Sequence, residues 1–127
     1  SYSDPYKDDR RFIMNDCIFC KIANKEIPST IIYENDYVIA FDDLHPVAPV
    51  HTLVVPKKHI SNIMELQDGD MQYIAEIHKA IQEVAKIKGV DKTGFRVITN
   101  YGEDGGQTIL HLHYHVVGGK HLGPKIL

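Results

Sequence analysis

Tryptophan is absent from this 127-residue chain, and cysteine occurs only twice, at Cys17 and Cys20. Two cysteines are too few for the multiply bridged scaffold of a small secreted domain. No apolar run approaches the ~18 residues that a bilayer-spanning helix needs, so no membrane partner is expected. Basic blocks are missing as well. Lys57-Lys58 is only a dipeptide, and 14 basic against 17 acidic residues leave a net charge of -3. A nucleic acid gripped by its phosphates is therefore not an expected partner. The stretch from Ser1 to Arg11 is polar and charged, without the apolar centre of a secretion signal. These absences lead us to expect a cytoplasmic protein with reduced thiols that either do chemistry or bind metal.

The rest of the composition is ordinary for a globular chain, with 43% hydrophobic and 24% charged residues. The length suits one domain with one core. We expect a flexible tail over residues 1–14 and a folded domain over residues 15–127. Asp16 is expected to cap a short helix from Cys17 to about Asn24. Two β-type runs, 31–33 and 37–41, flank a turn at Glu34-Asn35-Asp36. A further strand is expected over 50–55, then a short helix or turn over 60–66. The apolar spacing of Met71, Ile74, Ile77, Ile81, Val84 and Ala85 predicts a long helix over 70–88, ended by Gly89. Strands over 94–100 and 109–117 follow, separated by a glycine-rich loop from Gly102 to Gly106. Paired strands with short turns and one long helix argue for an α+β fold: a mainly antiparallel five-stranded sheet, one long helix and a short N-terminal helix.

Eight histidines are the unusual feature. In the run His111-Leu112-His113-Tyr114-His115, strand alternation puts the three histidines on one face and Leu112, Tyr114 and Val116 on the other. Three imidazoles on one face serve stability poorly, because every buried ring nitrogen needs a partner. An all-histidine catalytic zinc is disfavoured, since ligands at i, i+2 and i+4 spread over ~13 Å of strand. Covalent phosphoryl chemistry fits better. Neutral imidazole is a nucleophile near pH 7, and the middle ring, His113, can be oriented by its neighbours. The glycines of the preceding loop let backbone N–H groups approach a phosphate, and Gln107, Thr108 and Asn100 add neutral donors.

The His-x-His-x-His-x-x run resembles the signature of the histidine triad (HIT) superfamily of nucleotide hydrolases and transferases. Gly118-Gly119-Lys120 after it resembles the branch of histidine triad nucleotide-binding proteins, the purine nucleoside phosphoramidases. Further agreement lies in Asp16-Cys17-Ile18-Phe19-Cys20-Lys21-Ile22, Glu26-Ile27-Pro28, Ala48-Pro49-Val50-His51, Val54 to Ile60 and Asp104-Gly105-Gly106-Gln107, so the likeness runs from about Asn15 to Lys120. It implies a homodimer whose two sheets join into one. It also implies hydrolysis of the P–N bond of purine nucleoside 5′-phosphoramidates through a nucleotidyl-histidine, releasing AMP or GMP. By position, His113 matches the nucleophile, His115 the histidine that contacts the phosphate and His51 the one that steadies the site. Gln107 and Thr108 match leaving-group and phosphate contacts, and Asn100 and Gly106 lie with them in the nucleotide site. Asp43 matches the acceptor for the ribose hydroxyls. Ile18, Phe19, Ile22, Ile27, Phe41 and Leu44 match the apolar slot for the base. Thr108 stands where many relatives have Ser, and the C-terminus from His121 to Leu127 lacks the Trp-Pro ending of some. A dinucleoside polyphosphate hydrolase and a nucleotide-binding scaffold are the alternatives.

Cys17-x-x-Cys20 allows a redox dithiol, two buried thiols or half of a structural zinc site completed by histidines. The resemblance favours zinc and implies Cys17, Cys20, His59 and His111 as its ligands, with no metal required for catalysis. His45, His78 and His121 carry no such context and are expected to be ordinary.

Overall fold

The computed structural model describes residues 16–127; the expected tail and its boundary at Asn15 lie outside the described residues. The elements run in the order α1 (Ile18–Ala23), β1 (Ile31–Glu34), β2 (Val38–Asp42), β3 (Val50–Pro56), α2 (Met71–Lys88), β4 (Phe95–Thr99) and β5 (Tyr114–Gly118). The five strands form one antiparallel sheet in the order β1-β2-β3-β5-β4, so the fold is α+β as the pattern predicts. Among the described residues, no helix is long and apolar enough to cross a membrane.

Strand alternation sorts the core into two layers. Val38, Ala40, Val54, Tyr114 and Val116 face α2 and pack on Ile77, Ala80, Ile81 and Val84. Ile39, Phe41, Leu53 and Val55 face the other way and pack on α1 through Phe19, Cys20 and Ile22. Residues 51, 115 and 117 have this second parity. The histidines of β3 and β5 therefore lie on the α1 side, away from the long helix. Gly89 ends α2 at φ 74°, its N–H bonding the carbonyls of Ala85 and Lys86. That left-handed residue is cheap only for glycine.

Three expectations need correction. Cys17 is the N-cap of α1, its sulfur accepting from the Cys20 N–H, whereas Asp16 lies outside the cap. The last strand starts at Tyr114 and not at residue 109, so His111 and His113 precede the ladder. The backbone bends over residues 109–111, and Leu112 donates its N–H to the Ile60 carbonyl at 2.7 Å. The segment 60–66 holds the expected turn, a 3-10 turn at Ile63–Glu65, and a second turn, Asp68–Asp70, leads into α2. Met71, counted on the apolar stripe of α2, is 48% exposed at the first residue of the helix.

Candidate functional site

Two clusters share the α1 side of the sheet, and His111 and His113 connect them. The first gathers Cys17, Cys20, His59 and His111, all buried, with one ligand atom from each within 4.8 Å of the others. Cys17 Sγ lies 3.3 Å from His111 Nδ1, and Cys20 Sγ lies 3.2 Å from His59 Nδ1. Behind the cluster, His111 Nε2–H donates to the Pro56 carbonyl at 2.8 Å, which leaves the Nδ1 lone pair aimed at the thiols. A ligating histidine fixed by a carbonyl on its far nitrogen is the usual arrangement of a metal site. The Cys17 thiol is pulled well down, chiefly by the hydrogen bond from Cys20. The Cys20 thiol is pushed up by its bond to Cys17 and by burial. Thiols bind a dication as thiolates, so metal at this cluster would release their protons. Two sulfurs and two imidazole nitrogens fit tetrahedral zinc, and these four residues could hold it.

The second cluster is the row His113, His115 and His51 with Asp43. A buried carbonyl, that of His111, accepts from His113 Nδ1–H at 2.7 Å. That bond fixes the tautomer, so Nε2 carries the free lone pair. Burial is the main cause that lowers the His113 pKa, keeping the ring neutral. His115 is lowered to about 4, first by burial and then by His113 and His51. His51 Nε2 lies 2.9 Å from His115 Nδ1 and 3.5 Å from Asp43 Oδ2. Phe19 stands edge-on to both clusters, its ring centre 5.1 Å from that of His113 and 5.9 Å from that of His111.

Asp43 is half-buried at the end of β2, where its N–H bonds the His51 carbonyl at 3.0 Å and Oδ1 accepts from the His45 N–H at 2.8 Å. The apolar residues expected around the base divide by exposure. Phe19, Ile22 and Phe41 are buried and Ile27 packs on them, while Ile18 at 42% and Leu44 at 85% are exposed.

The glycine-rich loop is placed differently from the simplest expectation. Gln107 is buried and its amide is used by the backbone: Nε2–H donates to the carbonyls of Ser61 and Ile109, and Oε1 accepts from Gly102 N–H. The N–H groups of Gly106 and Gln107 close the loop on Glu103 and Gly102. Asn100 Nδ2 donates to the Gly105 carbonyl at 2.7 Å. Gln107 and Asn100 therefore brace the loop, and Thr108 is the exposed hydroxyl beside it. At Gly105 a Cβ would fall 2.1 Å from the Tyr101 carbonyl oxygen, so the loop closes only around a glycine there. Sequence reasoning missed the bracing and missed Phe19 as the bridge between clusters. The spacing of Phe19 between the two cysteines was the available signal.

A HIT domain matches residues 24–122. Among solved structures, a histidine triad protein from Clostridium difficile is 58% identical, with a TM-score of 0.83 over 87% of this chain and 96% of that one. A HIT family hydrolase from Clostridium thermocellum is 51% identical, with a TM-score of 0.86 over 88% of this chain and 97% of that one. The purine nucleoside phosphoramidase of Escherichia coli is 37% identical over 109 residues, 86% of this chain and 92% of its own length.

Proposed function

This chain belongs to the HIT domain family, and from that premise we propose that it hydrolyses purine nucleoside 5′-phosphoramidates, releasing AMP or GMP. The observation that carries the reading is the His113 tautomer: a neutral, desolvated ring, its Nδ1–H held on the His111 carbonyl and its Nε2 lone pair free.

In the first step His113 Nε2 attacks phosphorus, the P–N bond to the leaving group breaks, and the amine departs with a proton taken from water. The new P–N bond makes His113 a cationic nucleotidyl-imidazole, because Nδ1 keeps its proton. That charge makes the ring a good leaving group. Water then attacks phosphorus, AMP or GMP leaves, a proton returns to solvent and neutral His113 is restored. His115 faces the phosphoryl group and His51 holds His115. Asp43 accepts from the ribose hydroxyls. Phe19, Ile22, Ile27 and Phe41, with Ile18 and Leu44 at the rim, take the base by apolar contact. Apolar walls do not distinguish adenine from guanine, since base identity is read by polar edge contacts.

Zinc at Cys17, Cys20, His59 and His111 would tie α1, which supplies the base pocket, to the segment that carries His113. It would act as a structural clip and take no part in the reaction. We further propose a homodimer joined through β4, the sheet edge on which Phe95, Val97 and Ile98 are exposed.

Turnover of a fluorogenic adenosine phosphoramidate tests the proposal. His113→Ala should abolish it with the fold intact by circular dichroism. Full activity in that variant would refute the mechanism. Faster turnover of a dinucleoside polyphosphate would move the substrate class.

A further inference from the structure

The Asp43–His51–His115 cluster offers one ligand atom from each residue within 4.8 Å of the others, the same measure that marks the cysteine–histidine cluster. Two imidazoles and a carboxylate would suit zinc or a neighbouring transition ion. The group behind the histidine decides otherwise. Behind His111 stands a carbonyl, which puts the proton on the far nitrogen and frees the near one. Behind His51 stands a donor: Val47 N–H bonds His51 Nδ1 at 3.1 Å.

We propose that the backbone N–H of Val47 is the positioning group that sets the tautomers of His51 and His115 and thereby keeps metal out of the Asp43–His51–His115 cluster. A neutral imidazole has one donor and one acceptor nitrogen. With Nδ1 accepting from Val47, His51 carries its proton on Nε2 and donates it to His115 Nδ1, 2.9 Å away. His115 then carries its own proton on Nε2, as a donor. One backbone N–H thus sets two rings in series. An ion on His51 Nε2 would need the proton on Nδ1, head-on to the Val47 N–H, so the ion and that hydrogen bond exclude each other. The Val47 side chain is 67% exposed and plays no part in this. That His115 presents its proton to a phosphoryl group rests on the proposed function; the tautomers and the metal exclusion do not.

The test uses the full chain, loaded with one equivalent of zinc, as the natural sequence, Val47→Ala and Val47→Pro. The alanine keeps the N–H and the proline deletes it. Nitrogen-15 spectra of the imidazoles should show His51 protonated on Nε2 in the natural sequence and in Val47→Ala. Co²⁺ titration of those two proteins should show no uptake that moves the His51 or His115 resonances. In Val47→Pro, His51 should shift its proton to Nδ1. One Co²⁺ should then bind with no thiolate charge-transfer band, and adding His51→Gln should remove it. A proton on His51 Nδ1 in the natural sequence would overturn the proposal. So would Co²⁺ at the cluster in the natural sequence, or a folded Val47→Pro that neither changes tautomer nor binds Co²⁺. Should Val47→Pro fail to fold, the His51 tautomer and the Co²⁺ titration of the natural sequence decide together. None of these readouts uses substrate, so they stand apart from the phosphoramidase assay.

Discussion

Phe19→Ala should be costly for two separable reasons. The ring is 4% exposed and sits edge-on to Phe41, His111 and His113 at centroid distances of 5.5, 5.9 and 5.1 Å. Truncating a buried Phe to Ala removes its transfer free energy and leaves a cavity, together about 3–5 kcal/mol. For a chain of this size that is a fall in Tm of roughly 10–20 °C. The second effect is on the site, because the ring flanks His113, the proposed nucleophile, and helps exclude water from it. Opening that flank weakens the desolvation that lowers the His113 pKa. The assay is urea unfolding at fixed protein concentration, paired with kcat/KM below the unfolding transition. Phe19→Leu is the control, keeping apolar volume without the ring edge. A loss below about 1 kcal/mol in Phe19→Ala would refute the packing argument. An unchanged kcat/KM and acid limb in the folded fraction would refute the coupling to His113.

Acid should act on activity and stability in the same direction. His113 and His115 are both lowered from 6.5, His115 to about 4, so the acid limb of kcat/KM should fall below pH 6.5; a limb at or above 6.5 would contradict this. In the unfolded chain these histidines protonate near 6.5, so the unfolded state binds more protons as pH falls. Stability from this source is present above 6.5 and lost on the way down through about 4, which urea midpoints at pH 8 and pH 5 would show. Metal analysis of the purified chain should find one zinc per chain, lost in Cys20→Ser together with a drop in Tm. Retention of stoichiometric zinc in that variant would place the metal elsewhere.

Much of the fold was legible because its signals are local. The 3.6-residue period of Ile74, Ile77, Ile81 and Val84 marks α2 whatever surrounds it, and Gly89 stops it by backbone sterics alone. Strand alternation correctly sent Leu112, Tyr114 and Val116 into the α2 layer even though the strand starts only at Tyr114. Periodicity misplaced that start because the residues before it take their hydrogen bonds from Ile60 and from the Gln107 amide, both distant in sequence or irregular in geometry. Gln107 and Asn100 illustrate the same limit. An amide reads as a donor in any sequence, and only the folded loop shows that protein carbonyls take both N–H bonds of Gln107 and one of Asn100.

The sequence by itself determined which residue types were available: a row of histidines, a pair of thiols, a glycine-rich loop and a helix with one apolar stripe. What only the tertiary structure decided is which nitrogen of each ring is free. Protons on imidazole are placed by the group behind the ring. For His111 that group is the carbonyl of Pro56, for His113 the carbonyl of His111, and for His51 the N–H of Val47. These partners are backbone atoms, common to every residue type, so no choice of side chain announces them. A ring with Nδ1 free beside two thiols, a ring with Nε2 free and a ring that accepts from the backbone are the same residue in the sequence, and the fold makes them different.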